Sequence, residues 1–452
     1  MTIELKEPPL LSGPRLLGPL RELRRDPLGI GLRAYREAGD VARVSIGPPG
    51  RRIEFYGLYH PDGAAGILDA ADAHNFRKES TTYDEMRNIF GNGLVTSQDE
   101  DWLRQKRFVQ PLFTTKRVDG YAATMSDEIE RYIASLRARS SETVNLSSEM
   151  TGLTLPLAVR ILFGDDADRI LPVLGAEFPL LSDATIKRGF SPMRTPLGWP
   201  TPLNVRTRRA REKIFRICDE IVDRRRASGI GSDDLVGRLI DARDGSESLS
   251  DSEVRDQILI FLFAGQDTTS IALTFALWLL GRHPEIQQQV RDEADRVLTG
   301  QTPTAEDVRA LGYTTMVLKE ATRLYPPVPY VARKAVEERE LCGYRIPAGS
   351  DVATSAWVIH RRPDLFEDPE TFDPDRFLPA REKAMHKYAW FPFGHGPRGC
   401  IGQHFAMLEA ALALGRLVQE FEFRTPPGDP QLRSGITVMP VTPVLGQVTA
   451  RC

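Results

Sequence analysis

The feature that most constrains the fold of this chain is the apolar run from Ile258 to Leu280, broken near its middle by Gly265-Gln-Asp-Thr-Thr-Ser270. Such a run is long enough to span a bilayer. An aspartate at mid-membrane, however, costs about 2.5–3.5 kcal/mol on insertion scales. A helix buried on all sides inside a folded protein fits better, and it requires layers of other elements around it. Ser250-Asp-Ser-Glu253 has the serine-to-glutamate spacing of a capping box. The helix is therefore predicted to run from Ser250 to Gly281, roughly 45 Å at 1.5 Å per residue. Polar residues at its midpoint then need a reason to be there.

The surrounding pattern is mainly helical. Helices are expected from about Tyr83 to Arg226, then over Pro284–Leu298, Ala305–Leu311 and Thr314–Tyr325. Breaks fall at Gly91-Asn-Gly93 and across Pro192–Pro202, the second a loop of the kind that borders a pocket. Val41–Ile46 and Arg52–Tyr56 flank Gly47-Pro-Pro-Gly50 and read as a hairpin. Further strands are expected near Val331–Ala335 and Val352–Ala356, with a β-rich tail at the end of the chain. The proline-rich residues 1–30 read as an extended surface segment, and Asp364–Arg381, with Pro369, Pro374 and Pro379, as loop. The chain has 452 residues, enough for one large core or two ordinary ones. With no linker between about 30 and 445, one domain over residues 1–452 is expected.

A net charge of −3 argues against nucleic acid or an anionic membrane as a partner. Cys218, Cys342, Cys400 and Cys452 are widely scattered and form no disulfide framework, which fits a reducing compartment. The N-terminus lacks the apolar core of a signal peptide, and a cytoplasmic protein is expected.

One cysteine stands apart. Cys400 closes Phe391-Pro-Phe-Gly-His-Gly-Pro-Arg-Gly-Cys400, a tightly bent loop, and the helix-like Ile401–Glu409 follows at once. Such a loop can turn backbone N–H groups onto one sulfur at the positive end of a helix, which suits a redox-tuned iron ligand. Two other readings stand beside it. An isolated cysteine is often a small buried hydrophobe. His395 and His404 flank the loop and admit zinc, although no CxxC pair occurs.

Glu320 and Arg323 share a helix face in Lys319-Glu-Ala-Thr-Arg-Leu-Tyr325, among apolar neighbours that imply burial. A buried ion pair needs further partners, and Arg376, in Phe372-Asp-Pro-Asp-Arg-Phe377, is a candidate third member. Ala264-Gly-Gln-Asp-Thr-Thr269, Glu320-x-x-Arg323, the Phe372–Phe377 segment and Phe393-Gly-x-Gly-x-Arg-x-Cys400-x-Gly402 occur in that order. In motif and spacing the chain resembles the cytochrome P450 family over nearly its whole length.

That resemblance implies a mainly α fold with a small β-rich part and a long central helix over a haem. The cofactor would be haem b, with Cys400 as its axial thiolate and metal ligand. Phe393 would shield the sulfur, while Gly396, Gly399 and Gly402 belong to the close-packed loop around it. Arg398, Trp102, Lys106 and Arg333 would contact the haem propionates. Ala264 and Gly265 would let the central helix pass close above the ring. Asp267 and Thr268 would be the acid–alcohol pair that delivers protons to bound oxygen. A helical threonine also commonly bonds a carbonyl one turn back, and the two roles are compatible.

Leu94, Val95, Val328, Pro329, Ile436 and Thr437 would face the substrate, which is then hydrophobic. Arg51 or Arg52, with Tyr56, would lie near the channel mouth, where a guanidinium can hold a carboxylate. No flavin or iron–sulfur motif follows the cysteine region, so a separate ferredoxin or flavodoxin with an NAD(P)H-dependent reductase is implied. Arg104, Lys106, Arg107, Lys116 and Arg117 are candidates to meet an acidic carrier. The expected activity of a monomer with this sequence is insertion of one oxygen atom of dioxygen into a fatty acid, terpene or polyketide. A peroxide-driven or isomerising haem-thiolate enzyme, and a haem or gas sensor, are the alternatives.

Overall fold

The computed structural model describes residues 6–69, 74–139, 141–191, 195–229, 233–299 and 302–451. Cys452 and Pro192–Arg194 of the expected proline-rich loop lie outside these residues.

The central helix spans Asp251–Leu280. Its capping box forms as the sequence predicts: the Glu253 N–H donates to the Ser250 hydroxyl at 3.3 Å, and the Ser250 N–H donates to the Glu253 carboxylate at 2.8 Å. Every residue from Thr269 to Leu280 is buried. The helices Leu146–Phe163, Pro202–Ser228, Gly312–Leu324 and Gln403–Glu420 pack around it. An apolar helix of membrane-spanning length is thus sheathed by protein, and its hydrophobic burial organises the main core.

A five-stranded sheet lies to one side, in the order Val41–Ile46, Ile53–Leu58, Asp351–Ser355, Tyr330–Ala335 and Phe76–Arg77. The expected hairpin is its edge, with Val41 opposite Leu58 and Ile46 opposite Ile53. The tail strand Leu445–Ala450 pairs with Phe421–Arg424 on one side and Thr143–Asn145 on the other, and Leu432–Ser434 pairs with Val438–Pro440. The later helices settle at Pro284–Val297, Ala305–Arg309 and Gly312–Leu324.

Two expectations are corrected. The first 30 residues are not simply an extended surface segment. Helices form at Leu20–Arg25 and Pro27–Ala38, and Leu11, Leu28 and Ile30 are buried. Proline here starts a helix rather than preventing one: Asp26 accepts the Gly29 N–H at 2.8 Å, and Pro27 occupies the first turn, where no donor is needed. The same physics places a helix at Pro379–Ala384 inside the stretch expected to be loop.

Behind the cysteine loop lies a buried polar cluster. Arg323 and Glu320 have fully buried side chains and make a two-pronged pair, at 2.6 and 2.8 Å. Arg323 also donates to the carbonyls of His360 and Pro369, each at 2.7 Å. Arg376 lies 3.4 Å from Glu320, and the Asp373 N–H donates to the same carboxylate at 3.0 Å. His360 joins this cluster to the loop. Its Nε2 accepts the Phe391 N–H at 3.0 Å, so its Nδ1–H is the donor to the Arg323 carbonyl at 3.2 Å. Burial holds this imidazole neutral, with a pKa lowered to about 3.

Candidate active site

From Phe391 the chain coils through Gly394 and Gly396, both at positive φ, to Cys400. A side chain at Gly396 would collide with the Leu68 carbonyl, so glycine alone allows the loop to sit this close. The Cys400 N–H donates to the Phe393 carbonyl at 2.8 Å, closing the loop. The helix Gln403–Glu420 begins three residues after the cysteine. Burial raises the thiol pKa, opposed by the Gly402 backbone N–H and the Lys78 charge.

Cys400 lies deep in the molecule, yet its surface is exposed because it faces an internal cavity of about 1490 Å³. Ala264, Gly265 and Thr268 of the central helix line the same cavity. The Thr268 hydroxyl donates to the Ala264 carbonyl at 2.8 Å. Asp267 is not on the cavity wall; burial raises its pKa.

A ring of cations lines one side of the cavity: Lys78, Lys106, Arg333 and Arg398. None has a carboxylate partner among the described residues. Arg333 is 4% exposed, and burial lowers its pKa. Burial and repulsion from Arg333 lower that of Arg398 to about 10. Lys78 is pushed well below the ordinary lysine range by burial and by both guanidiniums. Arg398 donates to the Ser97 carbonyl and the Gln98 side chain, each at 3.0 Å. The Trp102 ring lies between two cations, Arg398 at 4.0 Å and Lys106 at 4.9 Å.

Cations that line one cavity with no carboxylate paired to any of them among the described residues call for an anion. An exposed thiol and a helix face of small residues in the same cavity complete a set that would serve a haem: a sulfur ligand, open space and partners for two propionates. The residues present fit the group. Zinc fits less well. His404 pairs with Asp119 at 2.9 Å, the His395 ring accepts the Gly396 N–H, and no three His, Cys, Asp or Glu side chains gather among the described residues.

Of the expected pocket residues, Leu94, Val95, Val328, Ile436 and Thr437 line the cavity, as do Phe393 and Gly402. Pro329 does not: it is buried behind the wall, where its carbonyl accepts from the Ser355 hydroxyl at 3.2 Å and the Trp357 N–H at 3.3 Å. Those two bonds hold its backbone against the helix Ala356–Ile359 and the residue that caps it, Ser355. Arg51 lines the cavity near its mouth, whereas Arg52 is tied to the Arg15 carbonyl at 2.7 Å and Tyr56 is buried in the sheet.

The five basic residues proposed to meet a carrier divide. Arg104 pairs with Glu247 and Glu253, Arg107 pairs with Asp244, and Lys106 turns inward to the Pro397 carbonyl. Lys116 and Arg117 alone are exposed without a carboxylate partner among the described residues.

Two cavity residues escaped the sequence reading. Lys78 follows a two-residue strand and has no motif around it. Glu409 is 3% exposed, hydrogen-bonded to Thr269, and raised by burial to a pKa of about 8. Its placement on the helix after Cys400, facing the core, was the available signal.

Comparison with known proteins agrees with this geometry. The cytochrome P450 family model matches residues 16–448. The chain is 36% identical to cyclooctat-9-en-7-ol 5-monooxygenase of Streptomyces melanosporofaciens, over 91% of this chain and 88% of the relative. It is 30% identical to pentalenene oxygenase of Streptomyces avermitilis, over 91% and 90% respectively. The crystal structure of the cytochrome P450DA heme domain superposes with a TM-score of 0.87 at 28% identity, covering 99% of this chain and 98% of that one.

Proposed function

This chain belongs to the cytochrome P450 family and is a monooxygenase, and from that premise we propose that it hydroxylates a cyclic terpene with electrons from a separate ferredoxin or flavodoxin. The observation that carries the reading is the apolar wall of Leu94, Val95, Phe263, Val328 and Ile436 in the same cavity as Cys400. Such a wall recognises a hydrocarbon body by shape and desolvation. The terpene class is supported by the names of two relatives, which act on cyclooctat-9-en-7-ol and pentalenene.

In this reading Cys400 would be the thiolate ligand, and Arg333, Arg398, Lys78, Lys106 and Trp102 would hold the anionic edge of haem b. Bound there, the haem supplies dioxygen activation. The protein's own part is to position substrate and protons. Ala264 and Gly265 leave open space at the cavity wall: a Cβ built at Gly265 meets nothing within 4 Å. Thr268 presents a hydroxyl on the cavity wall and carries a proton at Oγ1, while Asp267, beside it and off the wall, passes protons inward. Scattered cysteines support a cytoplasmic protein acting as one domain.

An optical titration tests the proposal. Cyclic terpene hydrocarbons and alcohols are expected to shift the Soret band of the ferric protein, and a surrogate ferredoxin with its reductase is expected to yield hydroxylated products. Turnover with hydrogen peroxide but none with dioxygen and the carrier would rule it out.

A further inference from the structure

Behind the cavity wall, two buried glutamines hold the segment that carries Leu94 and Val95. Gln257, on the central helix, is 0% exposed, and Gln105, on the helix Asp99–Val109, is 3% exposed. The Leu94 N–H donates to Gln257 Oε1 at 3.0 Å. Gln257 Nε2 donates to Gln105 Oε1 at 2.9 Å, and Gln105 Nε2 donates to the Asn92 carbonyl at 2.7 Å. The four groups close a ring from Asn92 back to Leu94. The backbone fixes the orientation of both amides: Leu94 brings a donor and Asn92 an acceptor, so the glutamines must run head to tail.

Other bonds hold the ends of this segment, since the Thr96 hydroxyl donates to the Gly91 and Gly93 carbonyls at 2.9 and 3.2 Å and Arg87 donates to the Thr96 carbonyl at 2.7 Å, but none of these reaches Leu94 or Val95. The segment is not helix or strand. Gly93 lies flat on the central helix, where an added Cβ would be 2.9 Å from the Asp256 carbonyl and 2.8 Å from Ile260. The Asn92 N–H donates to Asp256 at 2.9 Å. Farther along, Arg398 holds the Ser97 carbonyl at 3.0 Å. Between these ties Leu94 and Val95 face the cavity. Gln257 therefore couples the central helix, the helix bearing Trp102 and Lys106, and the substrate wall. A buried amide loses the water it would otherwise bond, so the bonds of Gln257 and Gln105 to the backbone constrain the segment strongly.

We propose that Gln257, acting through Gln105, is a positioning residue that sets where Leu94 and Val95 stand over the haem and so determines substrate fit and regioselectivity. This rests on the cavity being the substrate site.

Two readouts on the haem-loaded Gln257→Leu variant test it, neither of them turnover. Amide hydrogen exchange over Gly91–Ser97 is expected to quicken by about tenfold, the scale of one lost hydrogen bond. Soret titrations with imidazole and with 4-phenylimidazole separate the iron from the wall: imidazole affinity stays within about twofold, and the affinity ratio of the two ligands changes by about fivefold or more. Unchanged exchange, or faster exchange with an unchanged ratio, overturns the proposal. If Gln257→Leu fails to hold haem, Gln105→Leu is read by the same two criteria, since it removes the tie to Asn92 and leaves the Leu94 bond. Failure of any nitrogenous ligand to perturb the Soret band of the unaltered protein would instead overturn the assignment of the site.

Discussion

The Thr268 hydroxyl donates to the Ala264 carbonyl, 2.8 Å away and one turn earlier on the central helix. Both residues line the cavity, so the alcohol sits where helix and ligand space meet. A back-bond of this kind loosens the turn and leaves the oxygen lone pairs available to the cavity. Thr268→Ala is expected to keep the haem and bind substrate normally, while the ratio of product to NAD(P)H consumed falls several-fold. Measuring that ratio checks the role; an unchanged value would exclude it.

The Glu320–Arg323 pair predicts a large loss of stability. Both side chains are fully buried, and Arg323 carries backbone contacts to His360 and Pro369 behind the cysteine loop. Glu320→Ala leaves a buried guanidinium unpaired and is expected to cost about 3–5 kcal/mol in chemical denaturation, with poor haem retention. The double variant Glu320→Ala/Arg323→Leu is expected to lose less than the sum of the single changes.

Glu409 gives a pH dependence of definite sign. Its pKa rises from 4.5 to about 8 on burial. The folded protein therefore keeps a proton that the unfolded chain releases, so this contribution is full below pH 4.5 and is lost as pH rises towards 8. The slope is on the order of 1 kcal/mol per pH unit. Glu409→Gln should flatten the alkaline fall in melting temperature and leave the acid side unaltered. On that side His360 acts oppositely, with stability lost as pH falls from 6.5 towards 3.

The cation ring predicts how the cofactor is retained. Arg333→Leu and Lys78→Met each remove from the cavity wall one basic group that has no carboxylate partner among the described residues. Haem transfer to apomyoglobin is expected to quicken by about tenfold or more, the scale of a lost charge-assisted bond. The thiolate signature of the reduced CO complex should persist, since Cys400 is untouched. Equal transfer rates would show that these cations serve only the fold.

How much was legible in the sequence varies with the range of the interaction. The capping box at Ser250, the Gly47–Gly50 hairpin and the helix-sharing Glu320–Arg323 pair rest on neighbours in the chain, and local spacing encodes them. Lys78 has no such spacing. It reaches the cavity because Phe76–Arg77 pairs with the strand bearing Arg333, more than two hundred residues away. Arg104 and Arg107 looked like a free basic face until the fold brought Glu247, Glu253 and Asp244 against them. Pro329 sat beside Val328 in the sequence, yet Val328 lines the cavity while Pro329 is bonded to the remote Ser355 and Trp357 and does not.

The sequence by itself determined the long central helix, the glycine-rich cysteine loop and the order of motifs, because capping, positive-φ turns and apolar periodicity act between near neighbours. Tertiary structure alone decided which charges meet acids and which are left facing a cavity, and it closed the ring between Asn92, Gln105, Gln257 and Leu94. Those outcomes depend on distance in space. Burial and pairing are settled only when remote segments pack, and no local pattern carries that information.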